Sequence, residues 1–192
     1  VGQSDEIRVE RRVGRRGWNA AFSAERLADR VAVSVRVDLV GTSQVAATAL
    51  DAAWTRWESE VEQAWSHRAV LAAGDLRLPV TVDLVRTRRA PHHRVAVLPG
   101  SGRVDANAWH LDAEPGVVAH EVGHYLGAWD TYPNGLLDPE SPEIDMDHVM
   151  GDHTRTGVPS LTSFDTIAAW FGRCTGKEVQ VSEFVPGNAS RK

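Results

Sequence analysis

The sequence has a single cysteine, Cys174, among its 192 residues. No intramolecular disulfide can form, so the core and any bound metal must hold the fold. A basic surplus is also missing. The net charge of -5 leaves no electrostatic footprint for nucleic acid, because phosphate binding needs a basic face. No apolar run is long enough to span a membrane, and no basic-then-apolar leader opens the chain. A chain that opens on Val1 reads as a processed or excised piece, with room for a leader or pro-segment upstream.

What is present suffices for one sizeable core. Hydrophobic residues make up 42% of the chain, and the length suits a single domain over residues 1–192. Sheet and backing helices are expected within 1–127, a loop and last helix within 128–176, and an exposed tail over 177–192. Residues 5–16 carry Arg8, Arg11, Arg12, Arg15 and Arg16 with Gly14 as a turn, which suits an exposed hairpin or edge strand with a solvated face. Val31, Val33, Val35, Val37 and Leu39 alternate with Ala32, Ser34, Arg36 and Asp38, the period of a strand.

Thr42 or Ser43 is the expected N-cap of a helix reaching about residue 68, in which Trp57, Val61 and Trp65 recur at four-residue steps as core packing. A second alternating run, 76–84, and a shorter one, 95–98, follow as strands. The turn Pro99-Gly100-Ser101-Gly102 leads to a partner strand over 103–111. A helix with Glu114 and Pro115 in its first turn then runs to Leu126 and stops at Gly127. Residues 130–160 are too polar for a core and read as a long functional or partly disordered loop. Thr162 or Ser163 caps a last helix through Phe171.

The chemistry concentrates in that penultimate helix. His120 and His124, four apart, lie on one face and can reach one metal ion. Glu121 beside the first points past the metal toward a bound water, where it can act as a base. A catalytic zinc takes three protein ligands. Asp130, past the chain-reversing Gly127, is the candidate third, with His148 and His153 as rivals.

His120-Glu121-x-x-His124-x-x-Gly127-x-x-Asp130 resembles the metzincin metallopeptidases, in particular the snapalysin-like members in which Asp replaces the third His. The resemblance implies an α+β catalytic domain: a twisted mixed sheet with an antiparallel edge strand, a long backing helix, an active-site helix and a C-terminal helix. It implies Met150 in a tight turn under the metal, one catalytic zinc, and a peptide or protein substrate. Residues 103–111 would be the edge strand, with Asn107, Ala108 and Trp109 pairing with substrate; for Trp109, core packing is the equal alternative. Where several relatives carry an oxyanion-stabilising Tyr after the Met, this chain has Asp152, so Tyr132 and His153 stand as candidates for that task.

The expected activity is zinc-dependent endopeptidase action, with Glu121 as general base, in a secreted or extracellular setting where a pro-segment or inhibitor can act as partner. Two other readings share these residues: a narrow protease effector, and a zinc-containing binding module without turnover. Asp138, Glu140, Glu143, Asp145 and Asp147 also offer hard oxygen ligands for a calcium ion, with a solvated loop as the plainer reading.

Overall fold

Apolar alternation at the N-terminus produces a long hairpin, β1 (Ser4–Val13) and β2 (Arg16–Arg26), joined by a tight turn in which Gly14 takes φ 62°. The computed structural model describes residues 4–151 and 157–186. The hairpin is antiparallel throughout, from Ser4 opposite Glu25 to Val13 opposite Arg16. It extends well past the segment 5–16 because Ala20, Ala21 and Phe22 bury themselves on its second strand.

β3 (Val31–Gly41) is the central strand, and its alternating valines are fully buried. Only Ser23–Arg26 of β2 pair with it. The helix α1 (Ala47–Trp65) follows, burying Leu50, Ala53, Trp57, Val61 and Trp65. It starts later than its expected cap: Thr42 spends its carbonyl on a turn to Val45 N–H, and Ala46 opens the helix without a side-chain bond.

β4 (Ala69–Ala73) and β5 (Leu76–Arg86) form a second hairpin, and β5 runs parallel to β3. β6 (His93–Leu98) joins the distal part of β3 in parallel, from Val37 onward, beyond the stretch that β2 pairs. β7 (Ala108–His110) is only three residues long and runs parallel to β6. The expected strand over 103–111 is thus corrected in both length and direction. Asp105 is the reason for its shortness, because its Oδ1 accepts from Asn107 and Ala108 N–H and folds the segment into a turn.

α2 (Val117–Tyr125) carries the two motif histidines, and Gly116 at φ 83° precedes it. A short 3-10 turn (Leu161–Phe164) leads into α3 (Asp165–Thr175). Among the described residues the expected exposed tail is partly a strand, β8 (Gln180–Glu183), which pairs antiparallel with β4. The α+β class holds: the described residues form one mixed eight-stranded sheet with three helices.

Candidate metal centre

α2 sets His120 and His124 one turn apart on one face, and Gly127 at φ 90° reverses the chain so that Asp130 returns beneath them. Asp130 Oδ1 lies 3.3 Å from Nε2 of each histidine. The protons on these rings are fixed by their other nitrogens. His120 Nδ1 is 2.9 Å from Val149 O and His124 Nδ1 is 3.1 Å from Ala128 O. A carbonyl can only accept, so each Nδ1 donates and each Nε2 is turned toward Asp130 Oδ1.

The third acceptor is held just as firmly. Asp130 Oδ2 accepts from Leu136 N–H at 2.6 Å, and Gly135 permits this approach, since a Cβ there would sit 2.5 Å from Asp130 Cβ. Oδ1 is buried and has no hydrogen-bond partner. A cation placed among these atoms would be met by all three. Tetrahedral ligands about 2.0–2.1 Å from a zinc ion are about 3.3–3.4 Å apart, the spacing found between Asp130 Oδ1 and each imidazole. His120, His124 and Asp130 therefore fit a metal ion, and they are the one such group of three among the described residues.

Met150 packs against α2. Its side chain is fully buried against Gly123, where an added Cβ would run into Met150 Sδ and come 2.7 Å from Trp65 Cζ2. The main chain here braces the group too: Val149 O accepts from His120 Nδ1, and Met150 O accepts from Thr131 N–H at 2.9 Å, next to Asp130. Gly151 follows because a Cβ there would meet Asp145 O.

Glu121 opens onto a cleft of about 1030 Å3 that His120, His124 and Asp130 also line. Burial pushes its carboxyl up to about 7; Asp105 and Asp130 add to the rise, while His120 and Arg103 oppose it. Burial pushes the Asp130 carboxyl up as well, but the two imidazoles and the Leu136 N–H outweigh it and hold this group below the usual carboxylate range. Tyr132 borders the cleft with its ring 6.0 Å from that of His120, and burial raises its hydroxyl above the ordinary value.

Other candidates fall elsewhere. Trp109 is fully buried, edge-on to Trp57 at 5.3 Å, so its side chain is core and not a wall of the cleft. Of the rival ligands, His148 is occupied by Val158 O and Asp145 and stays out of the cluster; His153 lies outside the described residues. The acidic stretch gathers no calcium site among the described residues. Asp138 and Asp145 instead accept from backbone N–H groups two residues on.

Several cleft neighbours carry no motif that sequence could reveal. Arg16, Trp18, Arg103 and Asp105 reach the cleft from the hairpin and from the β6–β7 loop. Only the fold brings them within reach of the helix. No known family model, curated protein or solved structure matches this chain, so the chemistry of the site rests on its own geometry.

Proposed function

We propose that the chain is a zinc-dependent endopeptidase in which His120, His124 and Asp130 hold the metal and Glu121 is the general base. One observation carries the reading: three acceptor atoms face each other at 3.3 Å from the carboxylate to either ring, on the floor of an open cleft, beside a carboxylate raised by burial. Two nitrogen ligands with one carboxylate favour zinc over calcium or magnesium, which prefer oxygen. When bound, zinc supplies a Lewis acid that polarises a scissile carbonyl and acidifies a water.

The remaining chemistry belongs to side chains. Glu121 accepts the proton of the attacking water on its carboxylate and passes it to the leaving nitrogen. A group that titrates near neutrality suits both halves of that transfer. Val149 O and Ala128 O keep His120 and His124 in the acceptor tautomer throughout. Met150 forms the floor, and Tyr132 supports charge developing on the carbonyl oxygen. The metzincin-like spacing from His120 to Asp130 agrees with this assignment.

The purified 192-residue chain should bind about one zinc by elemental analysis and cut a random peptide library read by mass spectrometry. Glu121→Gln should keep the zinc and lose the cuts. Zinc uptake without cleavage of any library peptide by either protein would favour the effector or binding-module readings, and absence of zinc would end the proposal.

A further inference from the structure

The tip of the N-terminal hairpin touches the metal centre through one cross-strand pair. Arg11 and Trp18 face each other in the β1–β2 register. Between residues 10 and 19 only these two are half-buried, while the rest are exposed. Nothing else in the sheet holds this tip, because β2 pairs with β3 only from Ser23 to Arg26. A two-stranded ribbon is marginal by itself, so its position depends on what Arg11 and Trp18 grip.

They grip the segment that joins the second and third ligands. Trp18 Nε1 donates to His124 O at 2.7 Å, and its ring lies 4.8 Å from the His124 imidazole. The same indole meets Trp129 edge-on at 4.9 Å, one residue before Asp130. Arg11 Nε donates to Gly127 O at 3.1 Å, Arg11 Nη2 donates to Thr166 Oγ1 at 2.7 Å, and its Cζ lies 5.4 Å from the Trp129 ring centre. Ala128 sits between these contacts, and its carbonyl takes the His124 Nδ1 proton.

We propose that Arg11 and Trp18 are positioning residues for the metal ligands, an inference that rests on the zinc reading above. Arg11 fixes the carbonyl ladder of residues 124–128 and so the tautomer and ring plane of His124. Trp18 holds the ring face of His124 and, through Trp129, the approach of Asp130. Groups that orient ligands in this way change metal affinity by about 10–100-fold when lost. The coupling is reciprocal, so bound metal should in turn tighten the docking of the hairpin tip.

The test compares the full-length wild type with Trp18→Phe, which keeps a ring and removes the N–H, and with Arg11→Met, Arg11→Lys and the exposed control Arg15→Gln. Zinc affinity is read by chelator competition, ligand geometry by the visible spectrum after cobalt substitution, and folding by melting of the metal-free proteins. Trp18→Phe and Arg11→Met should bind zinc about tenfold more weakly with shifted cobalt bands. Arg11→Lys should recover part of the loss, and Arg15→Gln should match the wild type. Wild-type affinity and cobalt bands in both Trp18→Phe and Arg11→Met would overturn the inference whatever happens to melting, leaving the zinc reading intact. A wild type that takes up no zinc would remove both.

Discussion

Glu121 is a residue whose burial couples the stability of the fold to pH. Its carboxyl moves from 4.5 to about 7 through burial, so below pH 4.5 both states are protonated there. Between those values the native state holds a proton that the unfolded state has lost. The stabilisation is thus full below 4.5 and disappears as pH rises through about 7, by up to about 3 kcal/mol. His93 opposes this, since burial lowers its imidazole to about 4 and its contribution fades as pH falls below 6.5. Urea melts of metal-free wild type and Glu121→Gln across pH 4–8 separate the two. The variant should lose the Glu121 slope and keep the His93 one; parallel curves would show that Glu121 is not buried as described.

Gly123 offers a second residue-scale test. A methyl there would meet Met150 Sδ and the buried ring of Trp65, and overpacking of this kind costs about 1–3 kcal/mol. Gly123→Ala should lower the unfolding free energy from chemical denaturation by that much, and a neutral result would deny the close packing of α2 on Met150. His120, Glu121 and His124 were legible in sequence because helical spacing alone puts them together, whereas Asp130 stood beside His148 and His153 as rivals until the turn at Gly127 and the Leu136 N–H placed it. Trp109 was not decided by sequence, since a tryptophan beside a candidate cleft packs inward or outward according to strands that lie far away in the chain.

At the scale of elements, the long periodic segments were the readable ones. β3 and the body of α1 follow from alternation and from four-residue steps, which need no partner to be seen. β4 and β8 were missed because each is short and gains its place from pairing: β8 is half-polar and becomes a strand only against β4. α1 also does more than back the sheet. Trp65 Nε1 donates to Ala119 O at 2.9 Å in a fully buried setting, tying the end of α1 to the turn of α2 that precedes His120. Trp65→Phe leaves that carbonyl without this donor, at about 1–3 kcal/mol. The expected result is a lower melting temperature together with weaker zinc binding. Loss of stability with unchanged zinc affinity would confine Trp65 to packing.

For the whole molecule, the candidate metal centre is a junction of distant chain segments. α2 supplies His120 and His124, residues 130–136 supply and brace Asp130, Val149 orients His120, and Arg11 and Thr166 meet beside Gly127. No disulfide assists this assembly, as Cys174 is free. A cation that binds only the native arrangement then stabilises the entire fold by mass action. At free zinc a thousandfold above the dissociation constant the gain is about 4 kcal/mol, which for a domain of this size raises the melting temperature by about 10 °C. Scanning calorimetry of the zinc-loaded protein before and after chelation should show that drop, and readdition of zinc should reverse it. Asp130→Ala removes the buried carboxylate and one ligand together, so its melting should respond far less to chelation. Equal responses in wild type and Asp130→Ala would place the bound ion somewhere other than the His120, His124 and Asp130 group.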